Sequence, residues 1–347
     1  MKQYKTLDLA KFICAILIII IHTAPFGSYS KMLTFGFRNI ICVIAVPFFF
    51  LTSGFLAFKK IGTLDGEERK HYVRRYLKRI VVMYLIWSAV YFVFVAIKWI
   101  RVGFSVARVL EYVKDFFFEG SYSTIWFLPA LFTATLLVYL LHKKLNYRTI
   151  FAIACVIYLF TLGGSSYYGL AIKVPAIRTV YNLYYSFFDS IKNGVCFGMI
   201  FVSMGAMVAE REEAMTKKTT PLRAFVPVVL FAGLLAVEEF AVAYLNWNAR
   251  GVDTVVMLIP FTYFFVRFLL CWHIPLDDRI CVAMRKYSIL MFLTQRIPLS
   301  ILDMFLADTV LVQNSMVYFA VVFTATLAIS FCILKASEKI TWLKSAY

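Results

Sequence analysis

The sequence predicts an all-α, polytopic membrane protein with about ten transmembrane helices and with both N-terminus and C-terminus cytoplasmic. Three observations predict it. Hydrophobic residues make up 62% of the 347 and charged residues only 16%, against roughly 45–50% and about 25% in soluble globular chains. The apolar residues fall into blocks near the ~20 residues that cross a bilayer core at 1.5 Å rise per residue. Lys and Arg collect in alternate loops between those blocks, as the positive-inside rule requires.

The blocks run approximately over 6–26, 35–58, 80–100, 124–142, 149–163, 191–209, 225–245, 253–273, 286–306 and 315–335. The fifth is the shortest, though Tyr147 to Gly164 just spans. The first carries Asp8 and Lys11 within its length and nine blocks follow it, so it reads as a spanning helix and not as a cleaved leader. With the N-terminus inside, loops on that side hold 23 Lys and Arg, from Lys2 and Lys5 through the run Lys59–Arg79 to Lys218 and Lys344; the opposite loops hold 10. The even number of spans this requires agrees with counting the fifth block. No repeat or soluble domain interrupts the series, so residues 1–347 read as one integral-membrane domain.

Residues 101–122 are amphipathic, with Phe104, Val109, Val113, Phe116 and Phe117 set among charges, a pattern suited to the interface. Six tyrosines from Tyr158 to Tyr185 suit an aromatic belt and equally suit contact with a sugar or small substrate.

The formal net charge of +17 reflects this loop bias and does not indicate a nucleic-acid partner. The seven cysteines show neither CxxC nor a framework spacing and read as small packing residues, with Cys281 in a short loop. No metal motif is visible: His71, His142 and His273 stand alone at block ends. No phosphate-cradling Gly-rich motif appears.

Polar residues inside the blocks need a reason, because a charge at mid-helix costs roughly 2.5–3.5 kcal/mol on insertion scales. In the first block Asp8 and Lys11 are three apart and can pair on one face. Lys11 and His22 are eleven apart, about three turns and ~16 Å along the same face. Asp189, Lys192 and Asn193 cluster at the mouth of the sixth block, where Asp189 suits a helix N-terminus and Lys192 can pair with it. Glu238 and Glu239 fall in the seventh block, with Arg267 and Arg296 as possible counterparts.

The stretch LDLAKFICAILIIIIH (7–22) resembles the opening of the membrane acyltransferase 3 family, D-x-x-R followed by ten residues and His, with Lys11 in place of Arg. VPFFFLTSGFLAF (46–58), RRYLKRIVVMYLIW (74–87) and WFLPAL (126–131) continue the likeness. YLFTLGGSSYYGL (158–170), DSIKNGVCFGMIFVSMG (189–205) and DTVVMLIPFTYFFVRFLLCWH (253–273) resemble the membrane half of the vancomycin-resistance serine racemases. The soluble racemase domain is absent from this sequence, so racemisation is not implied. The resemblance covers nearly the whole chain and also implies ten helices. YSILMFLTQRI (287–297) departs from it by placing Gln295 where members often carry His; an amide bonds both ways but does not titrate near neutrality. Lys11 keeps the charge but loses the bidentate fork of Arg.

The resemblance implies a plasma-membrane enzyme of the cell envelope. It would move an acyl group, often acetyl, from cytoplasmic acyl-CoA as co-substrate, with no bound cofactor, to a hydroxyl of a carbohydrate or small acceptor. His22 would be the general base, since a neutral imidazole suits an alcohol nucleophile. Asp8 would orient Lys11, and Lys11 would act on donor phosphates or the thioester. Arg74, Arg75, Lys78 and Arg79 would hold the anionic nucleotide. Ser53, Trp126, Asp189, Lys192, Asn193, Glu238, Glu239, Gln295 and Arg296 are candidate substrate contacts. Each has a plainer reading: an interfacial histidine, a structural ion pair, a topology signal, close helix approach at Ser53–Gly54, a belt tryptophan. Two further classes stay open, a transporter of a small polar solute such as L-serine, using intramembrane Glu238, Glu239, Arg267, Gln295 and Arg296, and a catalytically silent scaffold.

Overall fold

The structure, a computed structural model, describes residues 3–217 and 219–347; Lys2 and Lys218 of the charge count lie outside them. Every regular element among the described residues is helical. In chain order the principal helices are α1 (Lys5–Thr23), α2 (Lys31–Ile61), α3 (Gly66–Val102), α4 (Val106–Phe118), α5 (Phe127–Leu141), α6 (Tyr147–Gly164), α7 (Pro175–Tyr185), α8 (Gly194–Lys217), α9 (Pro221–Tyr244), α10 (Leu258–Cys271), α11 (Asp278–Thr294), α12 (Arg296–Phe305) and α13 (Ser315–Lys339). Among the described residues, eight segments are long and apolar enough to cross a membrane: α1, α2, α3, α6, α8, α9, the pair α11–α12 and α13. The fourth and eighth blocks appear as α5 and α10, apolar but only 15 and 14 residues long. The fifth and shortest block is the 18-residue α6, capped by Asn146, whose side chain accepts from Thr149 N–H. This is an all-α, multi-pass membrane protein.

The chain forms two compact units. The first comprises Met1–Ala45, Arg79–Leu128 and Ile274–Tyr347. Its centre is α1 packed against α11 and α13. Lys5 Nζ meets Asp278 at 2.7 Å and the Leu276 carbonyl at 2.6 Å, while Asp8 meets Arg285, so α1 and α11 ascend in parallel. The far end of α1 is fixed to the start of α13: the Ser315 hydroxyl donates to Pro25 O (2.8 Å) and lies 2.8 Å from the Ser28 hydroxyl, and Tyr29 donates to Asn314. Cys281, expected in a loop, is fully buried in α11, because that helix starts eight residues before the apolar block does.

The second unit comprises Val46–Lys78 and Pro129–His273. Here α2 crosses α8 at two glycines. A methyl group on Gly54 would lie 2.6 Å from Val202 O, and one on Gly205 would lie 2.6 Å from Phe55 N. Small residues are how helices approach this closely where lipid offers no hydrophobic drive. Lys59 and the buried Glu212 close one end of the crossing at 2.8 Å. Gly54→Val is therefore expected to abolish stable assembly, read as loss of monodisperse protein after detergent extraction. Wild-type yield and melting temperature would show that the two helices can separate without penalty.

Candidate active site

Asp8, Ala15 and His22 recur every seven residues on α1, a repeat that drifts only ~20° per heptad. Ala15 is fully buried and Asp8 nearly so, while His22 is half-buried at the end of the same stripe. The stripe therefore faces protein over most of its length.

The lower end of the stripe differs from the expected Asp8–Lys11 pair. Both carboxylate oxygens of Asp8 are taken by Arg285, from Nε at 3.1 Å and from Nη2 at 2.8 Å. The planar fork of arginine matches a carboxylate in a way an ammonium cannot, so Arg285 displaces Lys11 as the partner. Lys11, half-buried, feels the charges of both Asp8 and Arg285. It makes no ion pair or hydrogen bond among the described residues.

The upper end of α11 breaks at Gln295, between α11 and α12. Pro298 supplies no N–H to the preceding turn. The Tyr91 hydroxyl donates to the Leu293 carbonyl at this break, and the Tyr91 ring stacks on Tyr122 with centroids 4.7 Å apart. Gln295 is fully buried. Its amide nitrogen donates to Phe292 O, and its Oε1 has no hydrogen-bond partner among the described residues.

One turn on, α12 borders a cavity of about 580 Å³ whose walls also come from α3, α4 and the turn before α5. Arg296, Ser300 and Asp303 stand at i, i+4 and i+7 on α12, hence on one face. Arg296 Nε donates to Ser123 (2.9 Å), Ser300 and Tyr122 hydroxyls lie 2.7 Å apart, and Tyr318 donates to Asp303 (2.7 Å). Trp99, Tyr112, Glu111 and Lys98 also line it. Burial raises the Tyr112 hydroxyl above its ordinary value, so it is a donor at neutral pH. The amphipathic segment foreseen at 101–122 is α4, which turns Glu111 and Asp115 to this cavity and leaves Leu110 and Phe117 exposed.

Gly120 shapes the turn that delivers Tyr122 and Ser123: its φ is +101°, and a Cβ there would lie 2.9 Å from Trp126 N. Trp126 itself is half-buried just before α5 and does not border the cavity. Gly120→Ala is expected to distort this wall and destabilise the fold by roughly 1–3 kcal/mol, measurable as a lowered melting temperature; an unchanged one would contradict the strained turn.

In the second unit the remaining candidates lie outside the α12 cavity. Lys192 pairs with Asp253 at 2.6 Å, not with the exposed Asp189. The N-cap of α8 is Asn193, whose side-chain oxygen accepts from Val195 and Cys196 N–H at 2.9 Å each. Asn has the same short acceptor reach as Asp and stands next to the helix, four residues after Asp189. Glu238 accepts from the Tyr167 hydroxyl and, at 2.7 Å each, from Val256 and Met257 N–H at the start of α10. It thus needs neither of the arginines offered to it by the sequence, and Arg267 instead donates to Thr219 (3.0 Å). Glu239 is 1% exposed. Glu238→Ala is expected to cost roughly 1.5–3 kcal/mol, the worth of hydrogen bonds to a charged group, seen in thermal unfolding.

The tyrosine-rich segment is internally bonded too. Tyr181 donates to Phe160 O (2.8 Å), Tyr185 to Gly164 O and Tyr184 to Ser190 O (3.2 Å), and Arg250 sits 3.7 Å over the Tyr185 ring. Burial pushes the Tyr181 hydroxyl up to about 12. Ser53 is half-buried beside Gly54 at the helix crossing. Arg74, Arg75 and Lys78 are exposed on α3, Arg75 bonding His71 at 2.6 Å. Arg79, in the first unit, donates to Tyr347 O (2.9 Å).

The chain is 32% identical over 218 residues to an amino-acid racemase of Enterococcus faecalis, covering 62% of this chain and 30% of that protein. It is 26% identical over 342 residues to a serine/alanine racemase of Enterococcus gallinarum, covering 98% of this chain and 47% of that one. The chain thus spans less than half the length of these relatives. No solved structure matches. Residues 4–335, carrying both ends of the α1 stripe and the α12 cavity, match the acyltransferase domain family 3, and the chain belongs to that family.

Proposed function

We propose that the protein transfers an acyl group, acetyl in the simplest case, from acyl-CoA to a hydroxyl of a carbohydrate or other small polar acceptor at the plasma membrane. The observation that carries the reading is the division of labour at the base of α1. Arg285 satisfies Asp8, which leaves the Lys11 ammonium without a direct partner among the described residues, on the helix that ends in His22. Lys11 and the nearby arginine attract the donor's phosphates, and the ~16 Å from Lys11 to His22 is a distance for the donor's flexible arm to cover. The α12 cavity, where Arg296, Ser300, Tyr122 and Asp303 offer donors and acceptors for several hydroxyls, holds part of the acceptor, and its reacting hydroxyl has to extend beyond those walls to meet His22.

His22 takes the proton as the acceptor oxygen attacks the thioester carbonyl. The C–O bond forms, the C–S bond breaks, and the proton passes from the imidazole to the departing thiolate. Reconstituted protein given radiolabelled acetyl-CoA and a panel of sugars and amino alcohols should release CoA and label an acceptor.

A second reading, transport of L-serine or a similar solute, is favoured by the likeness to serine/alanine racemases and by Gln295. Accumulation of labelled serine in proteoliposomes with no acyl donor present, and no label transfer to any acceptor, would select it over the first.

A further inference from the structure

Two hollows in the first unit share Tyr287 and Phe331 as walls. One, of about 400 Å³, is apolar and lined by Phe12, Leu327 and Ala328 besides the shared pair. The other, of about 430 Å³, is bordered by Arg279 and Lys286 on α11 and by Lys335, Glu338 and Lys344 at and after the end of α13. Glu338 is paired with Lys335 at 3.2 Å. Arg279, Lys286 and Lys344 form no ion pair among the described residues, so three positive charges stay uncompensated around one hollow.

The geometry points to a built-in binding site for one anionic phospholipid. An apolar groove alone would accept any acyl chain, and a cationic hollow alone would accept any phosphate. Their junction, on helices long and apolar enough to span a bilayer, fits an amphiphile with a phosphate head and a hydrocarbon tail. The phosphate sits among Arg279, Lys286 and Lys344, and one acyl chain lies along Phe12, Leu327 and Phe331. Basic pockets between spanning helices hold lipid headgroups in this manner, each Lys or Arg contributing roughly a factor of five in affinity. The site is separate from the α12 cavity and does not depend on the acyl-transfer reading. Lys286 follows Arg285 directly, so the bound lipid also neutralises charge next to the Asp8 pair.

The test is native mass spectrometry of the full chain released from nanodiscs of phosphatidylcholine containing a minority of phosphatidylglycerol. The wild type is expected to retain phosphatidylglycerol over phosphatidylcholine by on the order of tenfold or more. Lys286→Gln with Lys344→Gln should bring that preference down to a few-fold at most, and Ala328→Trp, which fills the groove, should reduce phosphatidylglycerol retention with the cations intact. Equal retention of the two lipids by the wild type overturns the proposal. So does displacement of phosphatidylglycerol by millimolar inorganic phosphate with Ala328→Trp behaving as wild type, which would make the hollow a site for free phosphate. Melting temperatures of both variants, matched to the wild type in phosphatidylcholine alone, separate lost binding from lost fold.

Discussion

His22→Ala is expected to slow acyl transfer by on the order of 10²–10⁴-fold, the usual contribution of a positioned general base, while insertion and melting temperature stay at wild-type values. The expectation of an intact fold comes from position. His22 is half-buried in the last turn of α1, and that end of the helix is fixed independently by the bonds of Ser28, Tyr29 and Pro25 to Asn314 and Ser315. Removing the imidazole therefore leaves that end of the helix held by those bonds. Single-turnover measurement with labelled acetyl-CoA separates the transfer step from donor binding, which should change by less than about threefold, because Lys11 and the other cations lie some three turns away. A variant that transfers acyl groups within a factor of a few of the wild type would remove His22 from the reaction.

Asp8→Asn is expected to cost roughly 2–4 kcal/mol of stability and most of the activity. The usual penalty for breaking a buried pair is about 3–5 kcal/mol; the lower range applies because Arg285 is 45% exposed although Asp8 is only 7% exposed. The isosteric amide removes the anion whose charge acts on both cations, Lys11 and Arg285, and leaves those two opposed. A second substitution, Arg285→Gln, should return part of the lost stability by removing one of the cations, which a purely steric defect at position 8 would not allow. Thermal unfolding of the two single variants and the double variant in one detergent checks this: a double variant less stable than Asp8→Asn would contradict the account.

How much of this was legible in the sequence follows from how far apart the partners lie. The spanning helices follow from composition and block length, since each carries its own apolar signal. The α1 stripe was legible for the same reason: residues 8, 11 and 22 lie on one helix and need only its period. Arg285 was missed because its partner is 277 residues away. The apolar block begins at 286, which puts Arg285 among the loop charges, whereas α11 begins at Asp278. Lys192 was given to its near neighbour Asp189, whereas a loop 61 residues on supplies Asp253. Glu238 looked like an expensive buried charge in need of an arginine, but a carboxylate can also be satisfied by a hydroxyl and the free N–H groups of a helix start, and backbone donors leave no mark in a sequence. The cavity wall was half-visible. Arg296 stood out as a charge within a block, whereas Ser300 and Tyr122 are ordinary residues there until the break at Gln295 and the turn at Gly120 bring them together.

The most direct test of a single helix serving two substrates from opposite ends is sidedness. Protein reconstituted in sealed liposomes with known orientation should transfer label only when acyl-CoA is on the face where α1 begins, at Lys5, and the hydroxyl acceptor is on the face where α1 ends, beyond His22. Transfer that proceeds equally well with both substrates confined to one face, whichever face it is, would contradict it.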